Sequence, residues 1–459
     1  MRRYIIVFLV GLGVFSAFAG DRLKSHSDHN HFVYQADAFL RGKAAIERKA
    51  GKKYVNDWAN YTELTLKGAS ADTYGSTVSG VFTLRKVKNR WRWNPTEFKL
   101  LNGEVINIPR RDQGARTQRY FVSFPPGPAV VMMPFVAVFG YGTNDVLLTV
   151  LFAAFNLVLF LLVLQRFRDA GYIRRSDNEL TWFVLLFGFG TAHLWCAVLG
   201  QVWFTALIMG VSFHVLFILC ALDTRHPILA GIFLGCAFAT RASLVFAAVF
   251  FYWQLFVRQR HERNALQTFK VFCQFSIPCL VIGGTLLWFN HLRFEQYLEF
   301  GHYYLRGGGD ARVQEFGLFD PRFLNKNLAA AFTLTPRLTD AAPYIQLTKH
   351  GMSIFLTTPV LFWVFGARND AGIHRPLWLA IACIFVPVLF YHNTGWEQFG
   401  YRFILDVIPY LVLLLACSAL RMGRLFKTLI LVGILVNALG AATFQRAHSK
   451  DMYGHFLAE

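Results

Sequence analysis

"ILAGIFLGCAFATRASLVFAAVFFYWQLFV" occupies residues 228 to 257, and its reading decides the fold. As a single helix it would be about 45 Å long at ~1.5 Å per residue, well beyond a hydrocarbon core of roughly 30 Å. Arg241 would then lie near the middle, where insertion scales set a cost of roughly 2.5 to 3.5 kcal/mol for a basic side chain. Two short spans with Arg241 at the turn avoid that cost. The choice also sets on which side of a membrane every later loop falls.

The rest of the chain fits such a setting. Of its 459 residues 55% are hydrophobic and only 16% charged, and apolar runs recur near residues 4 to 20, 125 to 141, 146 to 164, 181 to 199, 203 to 222, 271 to 290, 351 to 366, 376 to 391, 403 to 420 and 428 to 444. That pattern reads as a polytopic, all-α membrane protein. The net charge of +19 would suggest nucleic acid in a soluble domain. Here many Arg and Lys residues sit in short breaks between apolar runs, so the positive-inside rule explains that part and no nucleic-acid partner is expected. All seven cysteines fall in apolar segments, which argues against a disulfide framework or a CxxC metal site.

A second segment shares the ambiguity. Residues 125 to 141, "FPPGPAVVMMPFVAVFG" when read from Phe124, carry Pro125, Pro126, Pro128 and Pro134. These remove backbone donors, so the stretch reads as a short interfacial helix. With this reading and the hairpin at 228 to 257, the basic breaks "QRFRDAGYIRRSD", "DTRHP", "VRQRHERN", "ARNDAGIHR" and "RMGRLFK" all fall beside Arg2 and Arg3. The expectation is about eleven transmembrane helices with a cytoplasmic N-terminus.

The corresponding layout is a first transmembrane helix (1–20), an outer loop (21–145), central transmembrane helices (146–290), a second outer loop (291–350), C-terminal transmembrane helices (351–444) and an outer tail (445–459). The first segment, ending Ala17-Phe18-Ala19, also reads as a cleavable signal peptide; either way residue 21 onward lies outside. Within the first outer loop, Phe32, Ala36, Phe39 and Leu40 recur at helical spacing, which predicts an amphipathic surface helix between His31 and Ala45. "YTELTLKG", "TVSGVFTLRKV" and "EVINI" predict strands of a small β-containing insertion.

The loop opens with "SHSDHNHFVYQADAFLRGK", residues 25 to 43. Asp28, Phe32, Ala36 and Gly42 together resemble the pattern that begins the first outer loop of GT-C glycosyltransferases, integral membrane enzymes that use polyprenyl-phosphate sugars. "FPPGPAVVMMPFVAVFGYG" and "GIFLGCAFATRASLVF" resemble that family's juxtamembrane helix and its hairpin with a basic residue at the outer turn. "FNHLRFEQYLEFG", "GMSIFLTTP" and "GWEQFGYRFILDVIPYL" are similar to stretches in bacterial members. There are departures: His29 stands where many members have a second acid, and Ser123-Phe124 replaces Asp-His.

The resemblance implies a GT-C-like fold transferring a hexosyl or pentosyl group in a bacterial inner membrane, with the active site facing the periplasm or exterior. Such transfer needs a base for the acceptor proton and cations for the leaving phosphate. Asp28 is the candidate base; its alternative is a helix cap. Arg241 and Arg402 abut apolar spans on their outer side and are candidate donor-phosphate ligands, with Lys349 a third. Arg402 could instead pair with Asp406 one helical turn on, or snorkel. His29, Asn30, Tyr303, Trp396 and Glu397 are candidate substrate contacts.

No cofactor is called for. The His26, His29 and His31 spacing matches no common zinc pattern, which leaves a divalent metal little support. The expected partners are the polyprenyl-phosphate sugar donor, membrane lipids, and an acceptor glycan, lipid or protein. A lipid-linked oligosaccharide flippase, a polymer ligase and a noncatalytic envelope-assembly subunit are the alternatives.

Overall fold

The computed structural model describes residues 1–47, 57–88, 90–258, 263–340, 342–368 and 372–454. Parts of the basic breaks at 259–262 and 369–371, and the end of the expected outer tail at 455–459, lie outside them. In chain order come α1 (Arg2–Ala19), α2 (His31–Leu40), β1 (Trp58–Leu66), the short α3 (Gly68–Tyr74), β2 (Thr77–Val87), β3 (Arg90–Leu100), β4 (Val105–Asn107) and β5 (Gln113–Val122). Then follow α4 (Gly127–Phe139), α5 (Asp145–Asp169), α6 (Asp177–Phe189), α7 (His193–Ala197), α8 (Gln201–Ala221), α9 (Pro227–Phe238), α10 (Ala248–Trp253) and α11 (Ala265–Phe294). The chain forms two compact units, one of residues 1–30, 144–282 and 321–459, the other of 31–143 and 283–320.

The first unit is a helical bundle. Five described helices are long and apolar enough to cross a membrane: Arg2–Lys24, Asp145–Asp169, Gln201–Thr224, Ala265–Phe294 and Arg424–Thr443. Two of them are interior, since the most apolar windows of α5 and α8 are 67% and 83% buried. Those of α1 and α11 are only 17% buried, and side chains such as Leu266, Leu280 and Val281 lie bare, as a lipid-facing surface does.

These five do not confirm the count of eleven, and several of the other expected spans are broken helices. Residues 181 to 199 divide into α6 and α7 at Gly190, and 403 to 420 into the 3-10 turn Arg402–Asp406 and the helix Ile408–Cys417. The stretch from 228 to 257 breaks around Arg241, between α9 and the 3-10 turn Ala242–Ala247, where the break is expected, but the charge is kept within the bundle by pairing with Asp406 and not by exposure. Segment 351 to 366 holds only a four-residue helix and a 3-10 turn, and His374–Leu389, sixteen residues long, reaches about 24 Å.

Breaks inside a bundle expose backbone carbonyls, and side chains satisfy them. Thr358 Oγ1 donates to the Gly190 carbonyl at 2.9 Å, and Asn437 Nδ2 to that of Thr357 at 2.7 Å. A fully buried Asn156 ties α5 to α8, donating to the Ile208 carbonyl at 3.0 Å and accepting from Ser212 Oγ at 2.5 Å. Gly231 and Gly235 let α9 close on α11: a Cβ on the first would collide with the Phe275 carbonyl, and on the second with Ile282.

The second unit is built on an antiparallel sheet in the order β4-β3-β2-β1-β5. One face buries Leu64, Leu66, Val78, Phe98 and Ile106; the other packs Ala59, Val81 and Phe121 on Phe294 and Tyr304. The expected strands are present in β1, β2 and β4. β3 and β5 are additional, and their Arg-rich sequences hide the apolar alternation on which the expectation rested. Helix α2 ends at Leu40 before Gly42, whose φ of +68° is open to glycine. Tyr141 donates to Asp37 Oδ2 at 2.6 Å, and burial with that bond pushes the phenol up to about 12. At thirteen residues α4 is about 20 Å long, too short to span.

Candidate functional site

The loop that carries Asp28 is fixed from below by a residue that sequence reading did not single out. Asp145, in the first turn of α5 and 2% exposed, accepts from the Ser27 backbone N–H at 2.7 Å, from Ser27 Oγ at 2.6 Å and from the Gln201 N–H at 3.1 Å. Gln201 opens α8 with φ +63°, directly after Gly200 at φ +61°. A glutamine in this left-handed region is strained, and its N–H is thereby aimed at Ser27 and Asp145. Asn144 caps α5 and donates to the Leu23 carbonyl at 2.8 Å. The signal available was an Asn-Asp pair heading an apolar run, which reads first as an N-cap.

Next along the loop, Asp28 is exposed and makes no hydrogen bond or ion pair among the described residues. It therefore does not cap α2, which begins three residues later. His29 is held instead: its carbonyl accepts from the Val202 N–H at 2.9 Å, and its ring lies 4.8 Å from that of Trp203. Asn30 is 4% exposed, and its Nδ2 has no partner among the described residues.

The two candidate arginines meet further down α8. Both guanidinium groups lie 5.5 Å from the Phe403 ring centroid, and that of Arg402 is also 5.3 Å from Phe204 on α8. The Arg241 side chain passes Gly210 on the same helix, where an added Cβ would lie 3.1 Å from Arg241 Cδ. Asp406 pairs with Arg241, not with Arg402. Its carboxylate accepts from Arg241 Nε at 2.6 Å and Nη2 at 2.7 Å, and from Ser243 Oγ at 2.8 Å. The i,i+4 pairing that is the alternative for Arg402 assumes an α-helix, in which such residues share a face. Residues 402 to 406 form a 3-10 turn, whose three residues per turn rotate position i+4 about 120° away.

Beside this cluster, Gln398 knits together the chain strips at His350 and at Thr394–Arg402. It donates to the carbonyls of His350 (2.8 Å) and Thr394 (2.7 Å), and its Oε1 accepts from the Arg402 N–H at 2.8 Å. Lys349 and Glu397, both candidates, pair with each other at 2.8 Å, and the Trp396 ring lies 4.7 Å from that of His350. Tyr303 belongs to the other unit, where its hydroxyl accepts from Lys99 Nζ at 2.8 Å. Among the described residues no group of three or more His, Cys, Asp or Glu side chains could hold a metal ion.

No protein-family model matches the chain, and neither does any curated protein sequence. Among solved structures, the apo crystal structure of an oligosaccharyltransferase from Archaeoglobus fulgidus is similar over 96% of this chain, with a TM-score of 0.45 and 11% identity. The chain spans about half the length of that protein, 56% of it.

Proposed function

We propose that this chain is a GT-C-type membrane glycosyltransferase that moves a sugar from a polyprenyl-phosphate donor to an envelope glycan, lipid or protein on the non-cytoplasmic face. One observation carries the reading: the loop bearing the exposed Asp28 is fastened to the first turn of α8, and the same helix flanks Arg402 at Phe204 and Arg241 at Gly210. A free carboxylate on a loop fastened to α8, and two guanidinium groups packed against that helix, are the parts that inverting transfer from a phosphate requires.

The step balances as a displacement. Asp28 accepts the proton of an acceptor hydroxyl while its oxygen attacks the anomeric carbon. The bond from that carbon to the phosphate oxygen breaks, and its electron pair leaves with the phosphate. Arg241 spends Nε and Nη2 on Asp406, which fixes its plane and leaves Nη1 for a phosphate oxygen. The buried Asn30 Nδ2, a donor with no acceptor among the described residues, suits the oxygen of a sugar or acceptor hydroxyl beside Asp28.

The purified protein should transfer sugar from a polyprenyl-phosphate donor and ignore the corresponding nucleotide sugar. Efficient use of the nucleotide sugar without any lipid carrier would overturn the donor assignment. Asp28→Asn should lower kcat roughly 10²- to 10⁴-fold without changing the melting temperature, since Asp28 makes no hydrogen bond or ion pair among the described residues. Near-wild-type turnover would remove Asp28 from the mechanism. Cysteines introduced at Asp72 and Gly308 should react with an impermeant reagent in intact cells and one at Asp169 should not; labelling at 169 would overturn the sidedness.

A further inference from the structure

The β2–β3 hairpin is a second concentration of positive charge, independent of the site above. Arg85, Lys86, Lys88, Arg90 and Arg92 fall within eight residues of sequence with no acid among them. None makes an ion pair or a side-chain hydrogen bond among the described residues. Arg85 stands directly opposite Arg92, an arrangement that destabilises a strand pair. Two large aromatic side chains accompany the cations in the open: Trp91 is 40% and Trp93 46% exposed.

The register sorts these residues. Cross-strand partners share a face, so Leu84 with Trp93 and Lys86 with Trp91 form one side, and Arg85 with Arg92 and Val87 with Arg90 the other. Topology places the hairpin. Trp58 of β1 pairs with Val122 of β5, and Thr62 with Gly80 of β2, so continuing the antiparallel register brings Leu84 level with Trp58. Residues 85 to 87 and their partners therefore project about 10 Å past that end of the sheet at ~3.3 Å per residue. It is the end from which the chain leaves β5 for α4, a helix too short to span that bares Val130, Phe135, Val138 and Phe139.

We propose that the β2–β3 hairpin is an anchor for an anionic lipid surface. Trp91 and Trp93 seat at the headgroup level, and the five cations meet lipid phosphates. Charge complementarity and the tryptophan pair favour a bilayer over a soluble polyanion: Trp is the side chain that prefers the boundary between water and hydrocarbon, and α4, which follows β5 from the same end of the sheet, bares apolar side chains. The contact supplies the counter-charge that the protein itself does not.

Hydrogen exchange on the full chain tests this. An isolated two-stranded ribbon is marginally stable, so its amides exchange quickly unless something holds it. In nanodiscs with roughly a third phosphatidylglycerol, amides of residues 84 to 93 should exchange about tenfold more slowly than in pure phosphatidylcholine. High salt should remove the difference, and so should the triple substitution Arg85→Gln, Arg90→Gln, Arg92→Gln. Equal exchange of the unmodified protein in the two lipids overturns the proposal. So does slowing that appears only when a soluble anionic polysaccharide or an acceptor protein is added.

Discussion

Arg241 lies against Asp406 with Nε and Nη2 both bonded and 14% of its side chain exposed, whereas Arg85 faces Arg92 across an open hairpin with no acid between residues 84 and 96. In the bundle the guanidinium is part of the interior, since its carboxylate, a serine hydroxyl and an aromatic ring are built around it. In the sheet unit the guanidinium is an outward-facing group that the fold tolerates. The difference is one of tenancy: a buried charge is needed by its neighbours, while an exposed one is available to something else.

The largest expected effect breaks the buried pair. Asp406→Ala strands Arg241 inside the bundle and should lower stability by about 3 to 5 kcal/mol, read from detergent-solubilised unfolding. Adding Arg241→Met should recover much of that loss; no recovery would mean that Asp406 acts through Ser243 or another neighbour rather than through the pair. Asp145→Ala comes next, because it leaves the Ser27 N–H and hydroxyl without their acceptor and takes one of two acceptors from the Gln201 N–H. A stability loss of about 1 to 3 kcal/mol is expected, together with a drop in kcat, because Asp28 is one residue from Ser27; a loss of stability with kcat intact would separate the loop from the chemistry. The smallest effect belongs to the hairpin. Arg85→Gln should stay within about 0.5 kcal/mol of the unmodified protein, on the stabilising side if the repulsion with Arg92 is felt. A large destabilisation there would erase the contrast between the two sets of arginines.

What could be read in advance follows the range of the interactions. The break at Arg241 was legible because a charge inside an apolar run is a local contradiction, and the prolines of 125 to 141 announced a short helix in the same way. The partner of Arg241 was not, since Asp406 lies 165 positions away and the nearer Arg402 offered a plausible α-helical pairing that a 3-10 turn cancels. Asp28 stood out by pattern, but the Asp145 that holds its loop looked like an ordinary helix start. The broken helices at Gly190 and Thr357 lie in stretches whose sequence reads as continuous spans. Apolarity marks a buried segment without telling whether its backbone bonds to itself or to Thr358 and Asn437.

The fastening of Ser27 also has a consequence for the order of synthesis. Its two anchors, Asp145 and Gln201, are translated 118 and 174 residues after it. While the ribosome is still making the sheet unit, the first loop has neither acceptor nor donor to settle on, and the Asp28 carboxylate has no fixed place. It takes its position only once α5 has been inserted and α8 has begun to emerge. Maturation of the loop is thus timed by the arrival of later helices, and a nascent chain stalled before residue 201 would carry Asp28 on a loop whose fastening is incomplete.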